Sequence, residues 1–319
     1  MPGIASGGRP HRPVDSFGGL RYDDGMDGQV ASQSPASDAV AIALPPPGRR
    51  LPVVVASPHS GRDYPQAFLA AARLDPHTLR RSEDGFVDEI FGRVPEHGVP
   101  LLRALFPRAF LDVNREAYEL DPDMFDDALP NWVNTRSPRV VAGLGTIARI
   151  VAQGKDIYRG KLRFAEAVER VQRHYTPYHD ALRRLVDETR AAFGHVILID
   201  AHSMPSQGAS RTPGGRAVDV VLGDCYGSSC AAAVMDTAEQ WLAGRGYAVT
   251  RNTPYAGGFT TRHYGRPRAG IHALQVELNR ALYMDEATLA PTRGLARLTA
   301  DMTDFVVALG ALGPEALAR

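Results

Sequence analysis

The chain has 319 residues, of which 44% are hydrophobic and 23% are charged, and this composition suits one large globular domain or two smaller ones. Lys and Arg together number 36, as do Asp and Glu, so the net charge gives no sign of a nucleic acid or an anionic membrane as a partner. The two cysteines, Cys225 and Cys230, are too few for a disulfide framework and lack CxxC spacing, which favours a cytoplasmic protein.

Residues 1–37 differ in composition from the rest of the chain, because they are rich in Gly, Ser, Pro and Asp. They lack the apolar segment of a signal peptide and cannot bury enough apolar surface to offset the entropy of ordering. We predict a disordered N-terminal tail over residues 1–37 and one folded domain over residues 38–319. No window approaches the roughly 18 consecutive apolar residues that span a bilayer, so we expect no membrane partner.

After the tail, short apolar runs alternate with helical patterns, which predicts an α/β domain built on a largely buried sheet. Pro177 should interrupt the longest helical pattern, with Thr176 as the N-cap of a new helix. The predicted strands are residues 51–56, 100–104, 109–113, 195–200, 217–222, 247–252 and 273–277. The predicted helices are residues 82–94, 161–193, 228–243 and 285–309.

Four of these predicted strands carry polar residues at or near their ends. His59 follows the first strand, Asn114 and Arg115 follow the third, and His202 follows the fourth. Glu277 lies within the apolar alternation of the last strand, where a carboxylate is costly unless it is paired or bound. Each histidine alone is more often structural than functional, because a backbone carbonyl can accept its N–H. Ligands of open α/β sheets bind beyond the carboxyl ends of the strands, so we expect these residues to converge on one pocket.

Two histidines, a carboxylate and an open position form the usual catalytic zinc site. His59 and His202 would supply the imidazoles, and the segment RRSEDGFVDEIF offers Glu83 or Asp84 as the third ligand. Acids in the first turn of a helix also stabilise that helix without any other role. We favour Asp84 over Glu83, and we expect Glu277 to act as general base and acid. Nitrogen and oxygen ligands suit Zn²⁺, although they also accept cobalt, manganese or iron.

At these residues the chain resembles the N-formylglutamate amidohydrolase family, which is related by fold to zinc carboxypeptidases and aspartoacylase-type deacylases. The resemblance covers about residues 51–286, and the order of its motifs is more specific than any one of them. The motifs are SPHSGRDYP, RRSEDGFVDEIF, RAFLDVNR, AGLGTIARIV, YTPYHDAL, IDAHSMPS, DVVLGDCYG, TPYAGGFTTRHYGRP and ALQVELNRALYMDE. The resemblance implies a single α/β catalytic domain with a mixed, mostly parallel central sheet flanked by helices.

The resemblance also implies roles for individual residues. His59 and His202 match metal-ligand positions, Glu277 matches the catalytic glutamate, and Asn114 with Arg115 matches a pair that holds a substrate carboxylate. The peptidase relatives place a glutamate three residues after the first histidine. Here that position is Arg62, so the third ligand must come from another segment.

The implied reaction is the hydrolysis of N-formyl-L-glutamate to formate and L-glutamate in histidine degradation. The partner would be a small N-acyl amino acid, and the sequence indicates no oligomeric state. A second cation is expected for the second carboxylate, and the loop AGGFTTRHYG offers Arg262, which could equally be a solvated charge. Two alternatives stay open: a zinc deacylase or carboxypeptidase with another substrate, and a non-catalytic protein that binds acyl amino acids.

Overall fold

The computed structural model describes residues 38–151, 154–207, 211 and 215–317. The tail predicted over residues 1–37 lies outside the described residues. The described residues from 38 onward belong to one compact unit. None of the helices in these ranges is both long and apolar enough to cross a membrane.

A seven-stranded sheet forms the centre of this unit, with two small two-stranded sheets beside it. The strands of the central sheet are β1 (Val40–Ala43), β2 (Val53–Ser57), β3 (Leu101–Ala104), β6 (Val196–Met204), β7 (Val220–Gly223), β8 (Val249–Arg251) and β9 (Ile271–Asn279). The small sheets pair β4 (Ile150–Val151) with β5 (Lys155–Asp156), and β10 (Met284–Asp285) with β11 (Ala290–Pro291). The central order is β1-β3-β2-β6-β9-β7-β8, antiparallel at β1–β3 and β9–β7 and otherwise parallel. The predicted mixed, mostly parallel sheet is confirmed.

Helices cover both faces of the central sheet. The helices are α1 (Gln66–Ala71), α2 (Pro76–Arg80), α3 (Val87–Ile90), α4 (Pro138–Val141), α5 (Phe164–Arg170), α6 (Thr176–Phe193), α7 (Ala232–Gly244), α8 (Phe259–Tyr264), α9 (Gly294–Gly310) and α10 (Pro314–Leu317). Val196 and Leu198 of β6 join the core under α6, whereas Ile197 and Ile199 join the core under α3, α7 and α9. Burial on both faces explains why these strands are continuous apolar runs.

The strand predicted at residues 109–113 was wrong. The chain turns there, since the N–H of Phe110 donates to the carbonyl oxygen of Pro107 at 2.9 Å. Leu111 and Val113 are nevertheless buried in the core. Their apolar pattern therefore reports burial of a loop and not pairing in a sheet. The helix predicted at residues 82–94 is shorter, because the structure has only α3 and a 3₁₀ turn over Val94–His97 there.

Pro177 does not start a separate helix. A π-helical segment over Val171–Tyr175 joins α5 to α6 directly. Thr176 has helical backbone angles, φ −59° and ψ −51°, so it is not the N-cap that the sequence predicted. Pro177 has no N–H to donate, and its ring would clash with a preceding carbonyl group in a regular α-helix. The wider π turn just before it accommodates the proline without ending the helix.

Candidate active site

Four polar residues form a row on one face of the central sheet. Asp200 and His202 lie on β6, and their Cα partners on the parallel neighbour β9 are Gln275 and Glu277. All four are buried. The apolar core under α6 includes Leu198, and the polar row continues the same face because side chains alternate along a strand. The second half of β6 therefore leaves the apolar core and carries His202 into a polar site.

His59 and Asp84 meet His202 beyond the carboxyl end of β2. The backbone N–H of Asp84 donates to the carbonyl oxygen of His59 at 3.0 Å, which ties the two segments together. His59 Nδ1 lies 3.2 Å from Asp84 Oδ2, and His202 Nδ1 lies 3.0 Å from that oxygen and 3.1 Å from His59 Nδ1. All three side chains are buried. This group could hold a metal ion.

Each histidine presents its other ring nitrogen to a carboxylate. His59 Nε2 lies 2.7 Å from Asp112 Oδ1, and His202 Nε2 lies 3.0 Å from Asp200 Oδ1. In the neutral form with a proton on each Nε2, each Nδ1 carries a lone pair, and a metal ion that displaces any proton from Nδ1 would meet two such lone pairs and the oxygen of Asp84. Such pairing of an outer carboxylate with a histidine is usual around metal-binding imidazoles. The donor set fits a divalent metal ion with two nitrogen ligands and one oxygen ligand.

The cluster attracts positive charge. Burial alone lowers the pKa of His202, but the carboxylates of Asp200 and Asp84 raise that pKa well above its usual value. Burial favours the neutral form of Asp84, yet the hydrogen bonds of His202 and His59 hold the pKa of Asp84 well below its usual range. Arg280 Nη2 also contacts the outer oxygen of Asp84 at 3.2 Å. Asp84 is therefore ionised, as a metal ligand must be.

Glu83 lies beside Asp84 in the sequence but points elsewhere. Its Oε1 accepts a hydrogen bond from the hydroxyl of Tyr64 at 2.8 Å and lies 3.3 Å from Nε of Arg80. The structure thus brings Asp84, and not Glu83, to the two histidines.

Glu277 lies beside the cluster without belonging to it. Gln275 Nε2 donates to Glu277 Oε1 at 2.9 Å, and Gln275 Oε1 accepts from the N–H of Gly258 at 2.7 Å. Burial raises the pKa of Glu277 to about 7, against the opposing charge of His202. This carboxyl group can therefore lose and regain a proton near neutral pH, which is what general base and acid catalysis requires.

Asn114 supports the histidines. Its Nδ2 lies 3.0 Å from His202 Nε2 and 3.4 Å from Asp200 Oδ2, and its Oδ1 accepts from the N–H of Thr260 at 2.8 Å. Both ends of the Asn114 amide are therefore bonded within the protein. Because His202 Nε2 donates to Asp200, the acceptor of the Asn114 amide N–H is Asp200 Oδ2. This arrangement favours a role in orienting Asp200, and through it His202, over the predicted contact with substrate.

Arg115 is buried at the wall of the site. Its Nε donates to the carbonyl oxygen of Leu144 and its Nη1 to that of Asn114, both at 2.8 Å, and its Nη2 lies 3.5 Å from Asp112 Oδ2. These contacts fix the plane of the guanidinium group. The remaining N–H groups of its five can meet a ligand.

Arg262 is not brought into the site. It is exposed on α8, and it does not line the cavity above the cluster. Thr260, Thr261 and Tyr264 occupy the buried face of that helix, so helical geometry turns Arg262 to the opposite side. Arg262 is therefore not placed to be the second cation that the sequence predicted.

A cavity of about 660 Å³ opens above the cluster. His59, Asp84, His202 and Glu277 lie in its wall, which also carries the five arginines Arg81, Arg108, Arg115, Arg139 and Arg280. Arg108 Nη2 contacts Asp112 at 2.8 Å, and Arg280 donates to backbone carbonyls and to Asp84. The excess of cationic groups suits a small anionic ligand.

Sequence reasoning missed several residues of the site. Asp200 and Gln275 precede His202 and Glu277 by two positions and share their face of the sheet. The period of two along a strand is a signal that could have identified both. Asp112 precedes Asn114 by two positions in a loop, where no such period applies, so its contact with His59 could not be read from the sequence.

Comparisons with known proteins identify the family to which this sequence is similar. A sequence model of the N-formylglutamate amidohydrolase family matches residues 51–284. An N-formylglutamate deformylase of Pseudomonas aeruginosa is 30% identical over 273 residues, which are 83% of this chain and 95% of that protein. One of Pseudomonas putida is 29% identical over 244 residues, 74% of this chain and 83% of that protein.

Solved structures also resemble this fold. The crystal structure of an N-formylglutamate amidohydrolase from Ralstonia eutropha has a TM-score of 0.80 and 36% identity, and the match covers 85% of this chain and 97% of that one. A gene product of Agrobacterium tumefaciens shares the fold at 18% identity, with a TM-score of 0.55 over 85% of this chain and 94% of that one.

Proposed function

Because the chain belongs to the N-formylglutamate amidohydrolase family, we propose that it hydrolyses N-formyl-L-glutamate to formate and L-glutamate with one bound Zn²⁺. The observation that carries this proposal is the buried group of His59, Asp84 and His202 beside Glu277, in a cavity rich in arginine. The free thiols of Cys225 and Cys230 support a cytoplasmic location.

His59, Asp84 and His202 would hold the metal, and two imidazoles with one carboxylate are a usual ligand set of catalytic zinc. When bound, the metal supplies a Lewis acid that polarises the formyl carbonyl and lowers the pKa of water. Asp112 and Asp200 fix the orientation of the two histidine rings through the outer nitrogens. Asn114 donates to Asp200 and so supports the orientation of His202.

Glu277 moves the proton. Water adds its oxygen to the formyl carbon, the carbon–nitrogen bond breaks, and the leaving amine takes up a proton. Glu277 accepts the proton of the water and returns a proton to the amine, a role that its pKa of about 7 permits. Gln275 holds Oε1 of Glu277, so that the other carboxylate oxygen can face the substrate.

The first test measures formate release together with metal content. Purified protein should release formate from N-formyl-L-glutamate, lose this activity after treatment with a chelator, and regain it on addition of Zn²⁺. N-acetyl-L-glutamate and other N-formyl amino acids serve as controls for the acyl group and the side chain. Protein that binds these compounds but releases no product in any metal form would instead support the non-catalytic alternative.

A second prediction concerns the outer carboxylate of His202. Asp200→Asn should weaken metal affinity about tenfold to a hundredfold, because an amide cannot fix and polarise the ring as a carboxylate does. Competition with a chromophoric chelator measures this affinity. Asp301→Asn is the matched control, since Asp301 is also buried but lies on α9 and bonds to Tyr247 and Arg245. Unchanged metal affinity in Asp200→Asn would contradict this role.

A further inference from the structure

The arginines that line the cavity differ in whether their guanidinium groups already form hydrogen bonds or ion pairs within the protein. Arg108, Arg115 and Arg280 each contact carboxylates or backbone carbonyls. Among the described residues, no hydrogen bond or ion pair reaches the guanidinium group of either Arg81 or Arg139, although both line the cavity. These two groups are free to bind an anion.

Arg139 lies on a segment that is firmly joined to the site. It belongs to α4, whose N-cap Ser137 accepts from the N–H of Val140 and donates its hydroxyl to Glu119. The carbonyl oxygen of Leu144, in the same segment, accepts from Arg115 Nε. Arg139 is therefore presented to the cavity from a backbone that the protein holds in place.

The cationic groups of the cavity lie at increasing distance from the candidate metal ligands, as a series of contacts shows. His59 contacts Asp112, and Asp112 lies 3.5 Å from Arg115. Arg139 follows Arg115 through Leu144, whose N–H donates to the carbonyl oxygen of Arg139 at 2.8 Å and whose carbonyl oxygen accepts from Arg115 Nε at 2.8 Å. Among the described residues, no hydrogen bond or ion pair joins the guanidinium group of Arg139 to the cluster. Burial lowers the pKa of Arg115 to about 10, and the neighbouring charges of Arg108 and Arg139 add to this effect, whereas Asp112 opposes it.

N-formylglutamate also carries one charged group near its reacting bond and one farther away. The α-carboxylate of N-formylglutamate is attached next to the formyl nitrogen, and the γ-carboxylate lies at the far end of the side chain. An α-carboxylate near the reacting carbonyl would reach Arg115, and a γ-carboxylate would reach past it. An anion between Arg115 and Arg139 would also relieve the repulsion between two guanidinium groups.

We propose that Arg139 binds the γ-carboxylate and thereby makes the site selective for dicarboxylic N-acyl amino acids. This inference rests on the proposed function, and it replaces Arg262 as the second cation. All N–H donors of the Arg139 guanidinium group are available, and this planar group can bind a carboxylate through two parallel hydrogen bonds. The contact lies far from the bond that breaks, so it should act mainly on KM.

The test compares N-formyl-L-glutamate with N-formyl-L-glutamine, whose side chain has nearly the same shape but no charge. In Arg139→Gln, kcat/KM for the acid should fall roughly tenfold to a hundredfold, the range expected for a charge-assisted hydrogen bond. For the amide it should change by less than about threefold. Arg136→Gln is the matched control, because Arg136 is exposed in the same segment and does not line the cavity; it should behave as the wild type.

Three results would overturn the inference. Equal losses for acid and amide would make Arg139 a scaffold residue, and wild-type kcat/KM values for both substrates would remove it from the site. An acid-selective loss in Arg81→Gln but not in Arg139→Gln would transfer the role to Arg81.

Calorimetry separates this inference from the proposed function. Wild-type protein should bind L-glutamate more tightly than L-glutamine, and Arg139→Gln should lose this preference. If wild-type protein releases no formate, the proposed function fails, yet a preference for glutamate that depends on Arg139 would still support the inference. Equal binding of the two amino acids by the wild type would refute it.

Discussion

Glu277→Gln should lower kcat for formate release by about two to four orders of magnitude, the range that a positioned general base contributes. The amide keeps the shape of the side chain and can still accept from Gln275, whose Nε2 donates to Oε1 at 2.9 Å. It cannot take a proton from water at neutral pH. The variant should bind the same amount of metal as the wild type, because Glu277 is not one of the three residues of the cluster.

Steady-state formate release and metal analysis on the same sample check this prediction. Glu286→Gln is a suitable control, since Glu286 accepts from the backbone N–H of Ser206 and lines a neighbouring cavity instead of this one. Its kcat should stay close to that of the wild type. A kcat within tenfold of the wild type in Glu277→Gln would assign the proton transfer to another group, and a loss of metal would make Glu277 a ligand.

The core of the fold and three residues that line the candidate site could be predicted from the sequence, because buried strands leave a strong pattern. The runs that became β2, β6 and β9 are apolar on both faces, so a polar residue in or just after them is conspicuous. His59, His202 and Glu277 were identified in this way, and the parallel register pairs His202 with Glu277 across β6 and β9.

The rest depends on tertiary contacts that no local pattern encodes. Asp84 reaches the histidines from a segment whose backbone is tied to His59, since the N–H of Asp84 bonds to the carbonyl oxygen of His59, and Phe86, two residues later, adopts a left-handed conformation with φ 63°. Neither feature can be read from the segment itself, in which Glu83 and Asp84 are chemically similar. Arg139 was missed for a related reason, since a four-residue helix in a long loop gives no sign of which cavity it borders.

The second large effect is expected on metal affinity when the third ligand, Asp84, is replaced. Asp84→Ala should weaken metal affinity by at least about a hundredfold. Removing a residue that only hydrogen-bonds to a metal ligand already lowers metal affinity about tenfold to a hundredfold, and Asp84 is expected to be a ligand itself. Glu83→Ala should retain its metal at a chelator concentration that strips Asp84→Ala. The reason is geometric: Asp84 Oδ2 lies 3.0 and 3.2 Å from the two ring nitrogens, whereas Glu83 is bonded to Tyr64.

Asp84→Ala also leaves Arg280 without its carboxylate partner in a buried position, so the variant could lose stability as well as metal. Asp84→Asn guards against this ambiguity, because it keeps the shape and the hydrogen bond from Arg280 but removes the negative charge that a metal ligand supplies. Chelator competition and thermal unfolding should be measured on both variants and on Glu83→Ala. We expect Asp84→Asn to fold and to bind metal weakly, with formate release falling in proportion to the metal lost. A folded Asp84→Asn with full metal occupancy, or a Glu83→Ala protein that is stripped first, would move the third ligand away from Asp84.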